Sequence, residues 1–295
     1  MTQTYESNIW SEDEALRFYN GIVGERPAGE AETDFICLAA RKKYMTDGQR
    51  AECNLGDTCM MGKTILKEHD EAKFLSVLHR LDAQMDWFTD LRGNTIPRSC
   101  FAFYMNVNHT LVPKAVADFK KELAEYDMEI ACALAKCGKS GPATVKMKNV
   151  ENRLKKAFQN PSNQTDGWID IDMDIEKTGD DEGTKIRALV AGLEQGGLDG
   201  NTIECLMRGI RVIETRGGYH VLVGKTALKS VNSTLAKSLP ASKIKDHVLT
   251  ADRIARELET HYTQHGVAVK EIGINQNRMV PVPGTMQGGF EVRLI

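Results

Sequence analysis

The stretch Trp168-Ile-Asp-Ile-Asp-Met-Asp-Ile175 alternates apolar and acidic residues, and the rest of the chain is best interpreted around it. Successive side chains of a β-strand point to opposite faces, so this alternation predicts a strand with one buried face. The apolar residues would cover helices. The three aspartates, Asp170, Asp172 and Asp174, would share the opposite, open face.

Carboxylates that lie so close together on one strand repel one another. A divalent cation relieves that repulsion, and hard oxygen ligands suit Mg²⁺ or Mn²⁺, which also bind phosphates. The Asp170-x-Asp172 motif therefore predicts a metal site. The alternative is an exposed acidic edge strand without a ligand, because short motifs of this kind also arise without function.

The segments that follow predict an order of strand, helix, strand, strand, helix, strand, which is that of the split βαβ (RRM-like) unit. In this unit the first and third strands are central neighbours, so His220 would lie beside the aspartates. The predicted elements after Ile175 are a helix at 184–195, strands at 210–215 and 219–224, a helix at 250–261, and strands at 267–274 and 278–282.

The N-terminal half predicts helices at 12–19, 71–88, 113–126 and 151–158 and a strand at 100–107. Ser11 and Glu14 have capping-box spacing at the first of these helices. The turn-rich segment Asn160–Gly167 separates this half from the second. We therefore expect an α+β protein with an N-terminal α/β module at 1–165 and a split βαβ (RRM-like) module at 166–295 that contains the predicted metal site.

The net charge of −3 conceals two segments of opposite sign. Residues 136–156 contain seven basic residues and one acid, whereas residues 166–182 contain eight acids and one lysine. A basic segment next to an acidic strand suits a protein that binds polyanions and also holds divalent cations. The alternative is a solvated helix followed by an acidic loop. The basic candidates for nucleic-acid binding are Lys146, Lys148, Arg153, Lys155 and Lys156.

The composition of the chain favours a location in the cytoplasm. The chain has no apolar run of membrane-spanning length, and its N-terminus is acidic and lacks the apolar core of a secretory signal. Its seven cysteines are odd in number and scattered, which favours reduced thiols in the cytoplasm. Cys53 and Cys59 lack a second pair, so no zinc site is predicted.

Two further motifs carry polar residues on glycine- or proline-rich turns. Glu214-Thr-Arg-Gly-Gly-Tyr-His-Val-Leu-Val223 predicts a hairpin with Arg216 at the turn and His220 on the following strand. Asn277-Arg-Met-Val-Pro-Val-Pro-Gly-Thr-Met286 predicts a rigid loop that begins with Arg278. Arginine in either place suits a phosphate group.

These three motifs in this order resemble the archaeo-eukaryotic primase superfamily. The likeness is greatest to its stand-alone primase-polymerase branch of phages, plasmids and mobile elements, and by motif it covers about residues 166–292. It implies that Asp170 and Asp172 ligate two Mg²⁺ or Mn²⁺ ions and that His220 contacts the phosphates of the incoming nucleotide. Glu271 stands near the place where relatives carry a third acid, normally Asp. Relatives also carry a lysine after the Pro-Gly-Thr segment, which here is missing, so Arg216, Arg278 or Lys225 would supply that charge.

The resemblance implies the catalytic core of the archaeo-eukaryotic primases, with residues 166–295 as its RRM-like catalytic palm. It also implies a template-directed nucleotidyltransferase, a primase and/or DNA polymerase that acts in DNA replication. Its partners would be nucleoside triphosphates, a single-stranded or primed DNA template and a separate replicative helicase, in the cytoplasm of a bacterial or phage-infected cell, without a membrane. Two alternatives remain open. One is another two-metal enzyme, a nuclease or a polymerase-β-like nucleotidyltransferase, and the other is a primase-like nucleic-acid-binding protein without catalysis.

Overall fold

The computed structural model describes residues 7–24, 31–67, 69–140, 150–177, 182–192, 204, 206–238, 248–275 and 279–295. It is a mixed α+β structure with antiparallel sheets, as expected. Its principal helices are α1 (Glu12–Phe18), α2 (Asp47–Glu52), α3 (Glu71–Gln84), α4 (Val112–Ser140), α5 (Val150–Gln159), α6 (Glu182–Gly192), α7 (Lys225–Ser238) and α8 (Ala251–Gln264).

The strands form two larger sheets and one short hairpin. In the first sheet β1 (Glu32–Arg41) lies between β2 (Thr58–Leu66) and β3 (Phe101–Asn106), β4 (Thr110–Leu111) also pairs with β1, and β9 (Met279–Pro281) extends the sheet beyond β3. The second sheet contains β5 (Trp168–Ile175), β6 (Ile210–Glu214), β7 (Tyr219–Gly224), β8 (Val269–Ile274) and β12 (Arg293–Leu294). The hairpin is β10 (Met286–Gln287) with β11 (Phe290–Glu291).

The second sheet has the order β12-β6-β7-β5-β8, so the first and third strands after residue 166 are central neighbours. This order is that of the split βαβ unit, and the predicted juxtaposition of β5 and β7 is confirmed. Asp172 lies directly opposite His220 in their register. Residues 48 positions apart in sequence therefore meet on one sheet because of the strand order.

The two faces of the second sheet contact different partners. Ile171, Met173 and Ile175 pack with residues of α6, α7 and α8 in one apolar cluster. Trp168 and Leu222 face the other way and belong to the core of the N-terminal half. The apolar side of β5 thus covers helices as predicted, and its acidic side is turned towards the first sheet.

Several elements differ from the sequence prediction. β1, β2 and α7 were not predicted, α4 continues to Ser140, and β9 joins the first sheet although it follows residue 166 in the chain. The physical reason for β1 is burial on both sides, since all residues from Thr33 to Ala40 are buried. Such a strand lacks the alternation of polar and apolar residues that identifies a strand in a sequence.

Candidate active site

A cleft of about 960 Å³ lies between the two sheets. One wall is the face of the first sheet that α1 and α3 leave uncovered, and the other wall is the acidic face of the second sheet. Helices α4 and α5 form part of the rim. Residues that line the cleft include Cys37, Ala39, Arg41, Lys43 and Tyr104 on the first wall, Asp172, Asp174, His220, Glu271 and Asn275 on the second, and Asp118, Glu122 and Lys156 on the rim.

The three aspartates of β5 differ in their access to the cleft. The side chain of Asp172 is 56 % exposed, and Asp174 is partly exposed two residues further along the strand. The side chain of Asp170 is 0 % exposed. Period-2 geometry puts all three on the same face, but only Asp172 and Asp174 line the cleft.

Asp170 is instead held by two polar side chains. Nδ1 of His220 lies 3.0 Å from Oδ1 and 3.2 Å from Oδ2 of Asp170. Nδ2 of Asn275 donates to Oδ2 of Asp170 at 2.7 Å, and the Asn275 backbone N–H donates to the Asp170 carbonyl at 2.9 Å. A carboxylate that accepts at Nδ1–H fixes the ring orientation and leaves Nε2 for other partners. Nε2 of His220 lies 3.7 Å from Oδ1 of Asp172.

The charges in the cleft shift the pKa values of both neighbours. Partial desolvation within the cleft raises the pKa of the Asp172 carboxyl above its ordinary value, and the nearby Asp170 and Asp174 charges add to the rise. Burial by itself lowers the pKa of His220, but the Asp170 carboxylate outweighs it and leaves that pKa raised. The site therefore favours a protonated imidazole and holds more negative charge than it can easily accommodate.

The turn between β6 and β7 is shaped by glycine. Gly218 has φ +155°, and a Cβ built there would lie 1.8 Å from the Met173 carbonyl oxygen. A Cβ on Gly217 would lie 3.0 Å from Oδ1 of Asp174. The hairpin can therefore approach β5 closely only because these residues have no side chain. That approach brings His220 into register with Asp172.

The opposite wall is basic and aromatic. Nη1 of Arg41 donates to the Tyr104 hydroxyl at 2.9 Å, and that hydroxyl lies 3.4 Å from the Tyr44 hydroxyl. Nε of Arg41 is buried and has no hydrogen-bond partner in the described part of the chain. Arg216, a predicted phosphate-binding residue in the turn between β6 and β7, does not line the cleft. Its guanidinium lies 5.4 Å from the Tyr44 ring centroid, and its backbone N–H donates to Gln287. The contacts with Tyr104 hold the Arg41 guanidinium on the first wall of the cleft.

Lys43 connects the two walls electrostatically. Burial lowers the pKa of its ammonium, and the adjacent Arg41 lowers it further. The charges of Asp174 and Asp172, which line the same cleft as Lys43, act in the opposite direction on this pKa. Within the cleft Asp172 and Asp174 thus lie across from Arg41 and Lys43, and this arrangement suits a ligand that carries phosphate and metal together.

Among the predicted site residues, the structure brings Asp170, Asp172, His220 and Glu271 together. Glu271 lies opposite Asp174 in the β5–β8 register and lines the cleft. Lys225 forms an ion pair with Asp166 and does not line the cleft. Arg278 lies outside the described residues.

The predicted nucleic-acid segment is only partly described. Lys146 and Lys148 lie outside the described residues. Arg153 donates to the Glu122 carbonyl and lies 4.9 Å from the Tyr126 ring centroid, which attaches α5 to α4. Lys155 is half-buried on α5, and Lys156 is exposed at the rim of the cleft, 3.6 Å from Glu122.

Asp174 was placed on the acidic face of β5 but not among the predicted metal ligands. Arg41, Lys43, Tyr104 and Asn275 were not predicted site residues. The run Arg41-Lys-Lys43 directly after an apolar segment was the available signal for two of them. Asn275 and Tyr104 gave none, because their roles depend on partners far away in the chain. In the described ranges, no group of three or more His, Cys, Asp and Glu side chains is arranged to hold a metal ion.

Comparison with protein-family models, curated proteins and solved structures finds no match to the chain. A search of the described residues also finds no helix that is both long and apolar enough to cross a membrane.

Proposed function

We propose that this protein is a template-directed nucleotidyltransferase, a primase and/or DNA polymerase with the core of the archaeo-eukaryotic primases. The observation that carries the proposal is the cleft itself. Asp172, Asp174 and the Asp170–His220 pair occupy one wall, and Arg41 and Lys43 occupy the facing wall. Motif order supports the same conclusion, because the aspartate strand, the Gly-Gly turn with His220 and the Pro-Gly-Thr segment follow one another as in that superfamily.

The carboxylates of the cleft fit divalent cations of the Mg²⁺ type. Such ions keep several waters and take one or two protein carboxylates together with substrate phosphates, so a closed cage of three protein ligands is unnecessary. Asp172 and Asp174 are the accessible pair, with Glu271 opposite Asp174 as a further carboxylate. When bound, two such ions would lower the pKa of an attacking 3′-hydroxyl and stabilise the departing pyrophosphate.

The remaining residues would bind and orient the triphosphate. His220, held at Nδ1 by Asp170, would direct a protonated Nε2 at a phosphate oxygen. Arg41, which is partly buried, and Lys43, which is exposed, would supply positive charge from the opposite wall. Because both oxygens of Asp170 are already bonded, we assign it the orientation of His220 in preference to direct metal binding.

The test is nucleotide incorporation on a labelled DNA strand, with and without a primer, in Mg²⁺, in Mn²⁺ and in EDTA. We expect products longer than the primer, or new products on a bare template, that require both template and divalent ion. Shortening of the labelled strand would instead establish the nuclease alternative. Tight DNA binding with neither outcome, in a folded protein, would favour the non-catalytic alternative.

A further inference from the structure

A second depression of about 320 Å³ lies at the end of β1, and its lining is mostly cationic. We call it the β1-end groove. The residues that line it are Arg41, Lys42, Lys43, Arg50, Asp57 and Thr58. Four cations against one carboxylate make this a strongly basic surface on a protein whose net charge is −3.

The groove opens into the cleft. Arg41, Lys43 and Thr58 line both of them, and Arg41 lies opposite Thr58 in the β1–β2 register. Lys43 lines the same cleft as Asp172 and Asp174. A nucleic-acid strand that runs from Asp172 and Asp174 into the groove would therefore pass Lys43, which lines both the cleft and the groove. Its next phosphates would then reach Lys42 and Arg50, which line the groove.

The cations of the groove are available to a ligand. Lys42 is exposed, and the side chain of Arg50 is 44 % exposed. Arg50 lies 3.6 Å from Asp47, which is fully exposed in the same helix. Ion pairs of this kind contribute little to stability in water, so the guanidinium can exchange Asp47 for a phosphate.

The groove is also separate from the basic segment on α5. β1 is ten residues long, or roughly 30 Å. Helix α4, on which α5 packs, begins beside Ala31 at the start of β1, whereas Arg41 ends the strand. At the α5 side of the cleft Lys156 lies beside the carboxylates of Asp118 and Glu122, whereas the groove adds Lys42 and Arg50 to the cations Arg41 and Lys43. The positive charge beside the cleft is therefore concentrated at the end of β1.

We propose that the β1-end groove binds the sugar–phosphate backbone of single-stranded nucleic acid as it passes the carboxylates. This inference rests on the proposed function and extends it by assigning a strand-binding surface outside the segment 136–156. Contacts to phosphate carry no base information, so binding here is independent of sequence. It is also dependent on salt, because each cation that meets a phosphate releases counterions.

The experiment measures binding of a fluorescent oligothymidine by anisotropy across a salt series, in EDTA and without nucleotide. The groove variant is Lys42→Gln with Arg50→Gln. The matched control is Lys237→Gln with Arg208→Gln, which removes the same charge from exposed positions on the helix-covered side. Arg208 has an acidic partner in its own segment, Glu204, as Arg50 has Asp47.

We expect the groove variant to bind about five- to thirtyfold more weakly near 0.1 M salt and its salt slope to flatten by up to about 1.4, while the control binds as wild type. The inference is overturned if the groove variant binds with the affinity and salt slope of wild type. It is also overturned if the groove variant and the control variant are weakened to the same extent. Displacement of the oligonucleotide by inorganic phosphate at matched ionic strength would also overturn it, since that marks a pocket for one anion. Thermal melting of both variants verifies that they fold.

Failure of this inference is distinguishable from failure of the proposed function. If wild type incorporates nucleotides and the groove variant binds DNA normally, the groove assignment is wrong and the function stands. If wild type incorporates nothing and only the groove variant loses binding, the function is wrong and the groove is a nucleic-acid surface of a different protein class.

Discussion

Two histidine–aspartate pairs are buried in the described part of this protein, and only one of them faces the cleft. His109 lies 2.6 Å from Asp34, with side-chain exposures of 4 % and 2 %. His220 lies 3.0 Å from Asp170, with exposures of 9 % and 0 %. The two pairs have the same chemistry and nearly the same burial. Their difference lies in what surrounds them.

The His109–Asp34 pair lies within a polar network that attaches the first sheet to β5. Asn106 accepts from the Phe35 backbone N–H at 2.6 Å. Oδ1 of Asn108 accepts from the backbone N–H of Gly167 and of Trp168, each at 2.8 Å. Neither member of this pair lines the cleft. It stabilises the position of β5, and we expect it to take no part in chemistry.

The His220–Asp170 pair continues outward to Asp172 and the open cleft. A buried histidine–aspartate pair is therefore not by itself a sign of function. The His220–Asp170 pair is a candidate for function because the accessible carboxylate of Asp172 lies next to Nε2 of His220 and because cations line the facing wall of the cleft. The comparison can be tested by removing each component in turn.

Asp172→Asn should have the largest effect and abolish nucleotide incorporation, because an amide cannot neutralise a divalent ion. Without metal the variant should melt at or above the wild-type temperature, since one of three clustered charges is gone. The matched control is Asp252→Asn, an exposed residue at the start of α8, which should retain activity. A folded Asp172→Asn protein with full activity would remove the central claim.

His220→Asn and His109→Asn compare the two pairs directly. In each variant the amide nitrogen can still donate to the aspartate, but the Nε2 position is lost. We expect kcat/KM of His220→Asn to fall roughly ten- to a hundredfold, or about 1.5–3 kcal/mol, through loss of a charge-assisted phosphate contact. His109→Asn should lose thermal stability with unchanged activity per folded molecule. Similar activity losses in the two variants would mean that the cleft pair has no special role.

Glu271→Gln should have the smallest effect of the three. Glu271 lies opposite Asp174 but is exposed, and the described residues include no group of three metal ligands. We expect about a tenfold loss of activity with a raised metal requirement, as for residues that support a metal site without dominating it. The control is Glu259→Gln on the exposed side of α8. If Glu271→Gln loses activity as completely as Asp172→Asn, Glu271 is a primary metal ligand. If the metal dependence of activity is unchanged, Glu271 has no part in the metal site.

The sequence by itself determined the local elements of the second sheet. It predicted β5 with the bounds that the structure has, because alternation of apolar and polar residues is a local property of a strand with one buried face. It also predicted β7 with the observed bounds, although every residue of β7 is buried, because the Gly-Gly turn indicates a hairpin. It also predicted the glycine turn before His220 and the order of elements that makes β5 and β7 neighbours. These features follow from residues close together in the chain.

Only the tertiary structure decided which aspartates are accessible and what faces them. Asp170, Asp172 and Asp174 have identical places in the alternation, yet Asn275 and His220 enclose only Asp170. The opposite wall comes from β1, whose burial on both faces removes its periodic pattern. Contacts between residues that are distant in sequence depend on how whole sheets pack. A local sequence pattern does not determine that packing.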